Sequence, residues 1–260
     1  MIKKLFDKIY LALVFIFLYA PIAVLIVFSF NDSKLRGHWA GFTLDWYVDL
    51  FHNEQILNSL KVTIMVAVLS TIISTILGTV AAIGIHEQKG FSKNLILNVN
   101  YLPVLNPDIV TAVALMGLFG FFRLNFGFLT MLISHIVFCT PYVILSILPK
   151  LKQMDKNMVE AAMDLGATPS YAIKKVVIPQ IMPGIITGAL MAFTLSIDDF
   201  VVSYFTTGNG VSNLSITIYS MARKGINPSI NAMSTIMFVS LIVLLLIINK
   251  RSSKTIKDLV

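Results

Sequence analysis

A run of 22 residues, Ile9 to Phe30, carries no charged side chain, and this narrows what the chain can fold into. A helix of about 20 apolar residues is long enough to cross the hydrocarbon of a bilayer. In water it would leave most of its surface without cover. Five more such runs follow: Val62 to Ile85; one starting near Tyr101 and reaching Phe122, with Pro103, Pro107 and Asp108 in its first turns; Phe126 to Leu148; Pro183 to about Thr207, interrupted by Asp198 and Asp199; and Asn231 to Asn249. Only 13% of the 260 residues are charged and 57% are hydrophobic, whereas soluble domains are about 25% charged. The expected fold class is all-α integral membrane with six transmembrane helices.

Six spans place both termini on one side. If that side is the cytoplasm, the inner segments hold Lys3, Lys4, Lys8, Lys89, Lys93, Lys150, Lys152, Lys156, Lys174, Lys175, Lys250, Arg251, Lys254 and Lys257, which is 14 of the 20 basic residues. The outer segments hold Lys34, Arg36, Lys61, Arg123, Arg223 and Lys224. Basic residues accumulate on the cytoplasmic side, so the N- and C-termini are expected inside. The net charge of +7 then reflects topology rather than a nucleic-acid surface. The first span follows a basic segment, as a signal peptide would, but its apolar core is too long and Phe28-Ser29-Phe30 offers no small-residue cleavage site. It is expected to be retained. In the outer segment that follows, Trp46, Tyr47, Leu50 and Phe51 have the spacing of a short helix lying at the interface. The expected organisation is a first helix with its outer amphipathic segment (1–57), a transmembrane domain (58–249) and a basic cytoplasmic tail (250–260). Cys139 is the only cysteine, and the four histidines form no His-x-x-x-His pair, so no disulfide framework or metal site is expected.

The longest polar interruption after a span runs from Lys150 to Pro179. Its sequence favours a helix through Glu160-Ala161-Ala162, with Asp155 or Asn157 as N-cap. Gly166 is suited to end that helix in a left-handed turn. Thr168 and Pro169 then cap and open a second helix, and Pro179 marks a second stop. The outcome is a helix–turn–helix whose small residues Ala161, Ala162 and Ala167 allow close approach of a partner. An amphipathic loop lying on the bilayer is the plainer alternative. Glu-Ala-Ala, three residues, Gly166, nine residues, then Val176-Val177-Ile178-Pro179 resembles the EAA loop of permease subunits in ABC importers that work with a separate binding protein. Val176 and Ile178 are conservative departures from that pattern. The resemblance implies a type I importer permease fold in which Glu160, Ala161, Ala162, Gly166, Val176, Ile178 and Pro179 couple the chain to an ATP-hydrolysing subunit. No Gly-x-x-x-x-Gly-Lys-Ser/Thr run is present, so the chain is expected to be no enzyme and to bind no cofactor. ATP and Mg would be used by the partner ATPase subunit.

Carboxylates within spans are costly, about 2.5–3.5 kcal/mol for Asp at a helix centre. Asp198 and Asp199, read as neighbours on one helix, point about 100° apart and can line one edge of a cavity. Asp108 is expected two turns into the third span. Helix capping or pairing with a partner subunit is the plainer reading of these acids. The functional reading is a path for a cation, with Phe200, Tyr204 and Phe205 adding cation–π attraction. Trp46 suits either an interfacial belt or that path. Ser196-Ile197-Asp198-Asp199-Phe200, Pro103 with Asn106-Pro107-Asp108, and Ile218-Tyr219-Ser220-Met221 resemble the permeases of spermidine/putrescine importers, and the likeness covers essentially the whole chain. It implies polyamine passage along Trp46, Asp108, Ser196, Asp198 and Asp199. Pro169 stands where that family can carry an acidic residue, so no carboxylate role transfers there. The implied partners are a second homologous permease (a heterodimer), a homodimeric ATP-binding subunit and an extracytoplasmic polyamine-binding protein, all at a bacterial inner membrane. Gly184-x-x-x-Gly188 would permit close helix packing. Two other classes compete: an ion-coupled secondary transporter, which would not need the EAA spacing, and a membrane-embedded enzyme, for which the His and Cys positions offer no nucleophile–base pair.

Overall fold

The computed structural model describes residues 2–33, 38–155, 157–224 and 228–257; Lys34, Arg36 and Lys156 of the orienting charges lie outside them. Among the described residues the elements are helical, apart from one isolated bridge between Asn31 and Phe42. In order they are α1 (Ile2–Phe28), α2 (Asp45–His52), α3 (Glu54–Glu87), α4 (Gly90–Leu105), α5 (Asp108–Phe121), α6 (Phe128–Gln153), α7 (Asn157–Asp164), α8 (Pro169–Ala172), a π-helical turn (Ile173–Val177), α9 (Ile178–Asp198), α10 (Val201–Thr206), α11 (Leu214–Lys224) and α12 (Pro228–Lys257). Four stretches are long and apolar enough to cross a membrane: 7–28, Glu54–Glu87, Phe128–Gln153 and Pro169–Asp198. A fifth arises if α4 and α5 form one bent span. The sixth expected run, 231–249, lies within α12 and is not among these five.

Two compact units divide the chain. In the first, residues 1–57 and 217–260, α12 packs against α1 and α2. The expected short helix at Trp46 is α2: Trp46 and Leu50 are buried, and Phe51 points out. Indole Nε1 of Trp46 donates to the Asn31 carbonyl at 2.8 Å, and the Tyr47 hydroxyl meets the Ser29 hydroxyl at 2.6 Å. None of the most apolar stretch of α1 is buried within the chain, and Phe17 is 81% exposed. Such an all-apolar surface needs lipid or another protein as its cover.

The second unit, residues 58–216, is built around α6. Half of the most apolar stretch of α6 is buried, against 28% for α3 and for the 169–198 helix. Cys139, Val143, Ile144, Ile147, Leu148 and Leu151 of α6 form a core with Ala82 and Ile85 of α3 and with Val177, Ile181 and Ala192. Glycines set the helix separation. A Cβ on Gly78 of α3 would lie 2.7 Å from Val143, and on Gly188 of α9 it would lie 3.0 Å from the Val143 backbone. Gly184 is equally tight against Ser146, so the expected close packing at Gly184 and Gly188 occurs within this chain, between α9 and α6. Several hydroxyls in apolar helices bond back to carbonyls four residues earlier, as Thr140 does to Ile136 and Thr194 to Leu190. This satisfies them without water.

Three expectations need correction. The third run is not one helix: α4 and α5 meet at 108°. Pro107 has no N–H to donate, and its ring drives Asn106 into an extended conformation, φ −79°, ψ 145°, which ends a helix. Asp108 is therefore the first residue of α5, not a residue two turns inside a span. The fifth run is also broken, with Asp199 extended (φ −66°, ψ 128°) between α9 and α10. Finally, Pro179 does not stop the chain. The π turn at Ile173–Val177 loosens the ladder just before it, with the Ile178 N–H reaching back to the Ile173 carbonyl. This removes the clash a proline ring makes in a regular helix.

Candidate functional site

The break after α9 begins with a choice between two adjacent acids. Asp198 closes the helix and is exposed, whereas the Asp199 side chain is only 7% exposed. Asp is well suited to cap a helix from an extended conformation. Its Oδ1 accepts the Val202 N–H at 3.2 Å, and its Oδ2 accepts the Ser203 N–H at 2.7 Å and the Ser203 hydroxyl at 2.8 Å. The free amides at the start of α10 thus have a charged acceptor, which offsets the exposed positive end of the helix dipole.

Behind this cap lies a buried polar chain. His135, 1% exposed on α6, places Nε2 2.9 Å from Ser203 Oγ and 3.5 Å from Asp199 Oδ2. Its Nδ1 is 2.7 Å from Ser196 Oγ on α9. Ser70 of α3 donates to Ser196 Oγ at 3.0 Å. From the loop before α11, Asn213 Nδ2 donates to Ser203 Oγ at 2.8 Å and to the Asp199 carbonyl at 3.0 Å, while its Oδ1 accepts the Ile216 N–H at 2.9 Å. Three regions distant in sequence, Ser70 of α3, His135 of α6 and residues 196–213, converge on one helix break.

Of the residues expected along a cation path, the structure brings Ser196 and Asp199 together through His135. Ser196 is 2% exposed and bonded on two sides. Asp198 is exposed and takes no part in this chain of hydrogen bonds. Asp108 is exposed at the start of α5. Trp46 belongs to the first unit and spends its indole N–H on Asn31. His135, Ser70, Ser203 and Asn213 escape a search for paired histidines or carboxylates. The signal available for His135 is its place as an ionisable residue inside an otherwise apolar run, where such a residue is costly.

The 150–179 segment has the local form its residues favour. Asp155 accepts the Asn157 N–H at 3.0 Å ahead of α7, Gly166 has φ +87°, and the Thr168 hydroxyl accepts the Tyr171 N–H with Pro169 opening α8. An open groove of about 500 Å³ is lined by Ala162, Leu165, Gly166, Ala167, Thr168, Tyr171 and Val176. It joins three of the coupling candidates, Ala162, Gly166 and Val176. Glu160, Ala161 and Pro179 are exposed outside it, and Ile178 is half-buried. Leu165, 90% exposed on the rim, stands outside the coupling candidates; a bare leucine beside a left-handed glycine is its only signal in the sequence.

Residues 74–258 match the family described as binding-protein-dependent transport system inner membrane component. The chain is 36% identical over 246 residues to the spermidine/putrescine transport system permease protein PotC of Escherichia coli K12, covering 95% of this chain and 93% of that protein. It is 37% identical over 233 residues to the putrescine transport system permease protein PotI of the same strain, covering 87% and 83%. The fold is shared with the crystal structure of a bacterial ABC transporter involved in import of the acidic polysaccharide alginate, with a TM-score of 0.74 and 18% identity over 96% of this chain and 95% of that one. It is also shared with the inward-facing MetNI methionine ABC transporter, at TM-score 0.61 and 16% identity over 79% of this chain and 96% of that one.

Proposed function

This chain belongs to the binding-protein-dependent transport system inner membrane component family, and from that premise we propose that it is the membrane-spanning permease subunit of an ATP-driven importer of polyamines. Identities of 36% and 37% to two polyamine permeases, each over most of the chain, carry this reading. An open carboxylate, Asp198, at a break in an apolar helix suits a cargo of positive charges on a hydrocarbon spacer, because a cation leaving water needs a fixed negative charge in its place. Asp108, Asp199, Ser196 and Trp46 complete the proposed path, with Asp199 and Ser196 acting from behind the break.

The remaining parts follow as one assembly. Six spans carry both termini to the cytoplasm, and residues 150–179 project there as the coupling loop. Glu160 and the groove at Ala162, Gly166 and Val176 receive a homodimeric ATP-binding subunit, while Ile178 and Pro179 relay its movement into α9. ATP and Mg belong to that subunit, and this chain binds no cofactor of its own. A second homologous permease completes the pathway, and an extracytoplasmic binding protein delivers spermidine or putrescine. The test is uptake of radiolabelled spermidine by vesicles holding the reconstituted complex. Uptake is expected only with the binding protein on the outer side and ATP on the side of the coupling loop. Uptake driven by an ion gradient without ATP would instead make the chain a secondary transporter.

A further inference from the structure

We infer that His135 is a positioning residue: by bridging Ser196 and Ser203 it holds the break between α9 and α10 and so fixes the direction in which Asp198 faces. At 1% exposure the ring cannot meet a solute, so any effect it has must pass through what it touches. It touches both sides of the break, Ser196 in the last turn of α9 and Ser203 in α10.

The protons in this chain can be placed one by one. A carboxylate only accepts, so the Ser203 hydroxyl proton goes to Asp199 Oδ2 at 2.8 Å. The Ser203 oxygen then accepts from Asn213 Nδ2 and from His135 Nε2–H. With the ring neutral, Nδ1 is an acceptor and takes the Ser196 proton, and Ser196 in turn accepts from Ser70. The hydroxyls therefore donate along a line from α3 to Asp199, with the Ser70 hydroxyl also 3.3 Å from the Ala67 carbonyl. Chains of this kind reinforce one another, and a missing member leaves its neighbours unsatisfied in a site without water.

The backbone at Asp199 is extended and has left the α9 ladder. Its position therefore rests on the side-chain bonds around Ser203, Asn213 and His135. Asp198 is the residue immediately before it, and its heading follows from how that turn is held. The inference assigns Ser196 and Asp199 to the frame and leaves Asp198 as the acid of the pair that faces outward. It rests on the transport reading only in its uptake arm.

The test compares His135→Leu, His135→Gln and Ser203→Ala in the complete complex. Gln keeps one acceptor and one donor about as far apart as the two ring nitrogens, but it cannot carry a positive charge. Two readouts are taken at matched protein levels: spermidine uptake by vesicles, and hydrogen–deuterium exchange of residues 199–206. His135→Leu is expected to lower uptake roughly tenfold and to raise exchange at the break, as loss of a buried hydrogen-bond bridge implies. His135→Gln is expected to return both to within about threefold of wild type, and Ser203→Ala combined with His135→Leu is expected to add little, because the two share one interaction. Wild-type behaviour of His135→Leu in both readouts would overturn the inference. So would a His135→Gln variant as defective as His135→Leu, since that result marks charge rather than bridging. If His135→Leu does not insert, Ser203→Ala decides: raised exchange at 199–206 supports the frame, and unchanged exchange overturns it. Should the wild-type complex take up no spermidine, the polyamine reading fails, while the exchange measurements still decide the role of His135.

Discussion

Two neighbouring aspartates of identical chemistry have different surroundings, and their substitution should therefore have different consequences. Asp199 makes three hydrogen bonds to the start of α10. Asp199→Ala should destabilise the purified complex by about 1–3 kcal/mol, since it leaves buried donors unpaired, visible as a lower midpoint of thermal unfolding in detergent. Asp198 has an open face, and removing its charge should act on transport instead. A close unit-charge attraction at intermediate dielectric is worth about 1–4 kcal/mol. Asp198→Asn should accordingly lower polyamine uptake by roughly tenfold or more, with normal recovery of the assembled complex. Equal uptake at matched membrane levels would remove Asp198 from the path. The two residues look alike in sequence, and only the extended backbone at Asp199 separates them. Packing glycines obey the same logic: Gly188→Leu forces a side chain into a 3.0 Å gap beside Val143, and overpacking of that kind costs about 1–3 kcal/mol, again read as a lower unfolding midpoint.

At the scale of elements, the turn between α7 and α8 is dictated by its own residues. Gly166 at φ +87° occupies a region that β-branched side chains strongly disfavour. No neighbouring atom would obstruct a Cβ there, so backbone conformation alone resists substitution. Gly166→Val should distort the groove at Ala162 and Val176 while leaving the helices inserted, and ATP-coupled uptake should be lost. Retained uptake in reconstituted vesicles would remove this turn from coupling. The bent pair α4–α5 is a different case. Pro107 accounts for the break, but the 108° bend depends on where α5 packs, with Ala112, Leu115 and Phe119 against Val202 of α10. Pro179 misleads in the opposite direction, because a π turn absorbs the proline that local rules read as a stop.

For the whole molecule, the distribution of basic residues makes a prediction about sidedness. If residues 150–179 and both termini are cytoplasmic, a cysteine at exposed Ser170, in a Cys139→Ala background, should react with an impermeant maleimide only after cells are permeabilised. Cys139 is fully buried beside Ala192, and alanine removes its thiol with little change in volume. Labelling in intact cells would overturn the orientation and, with it, the role proposed for the groove.

What the amino-acid order determined by itself is whatever depends on residues close in sequence: apolar runs long enough to cross a bilayer, the sign of their flanks, the α2 helix, and the cap, glycine and proline that shape the turn at 164–169. These rest on helix rise, desolvation and single-residue backbone preference, all of which act within a few residues. What only the tertiary structure decided is where α9 stops, which of Asp198 and Asp199 turns inward, and that His135 joins Ser70, Ser196, Ser203 and Asn213. Hydrogen bonds that connect residues 61 to 126 positions apart, as His135 to Ser196 and Ser70 to Ser196 are, leave no local periodicity in a sequence. They are selected when the packed helices bring otherwise unsatisfied donors and acceptors together in a site that water cannot reach.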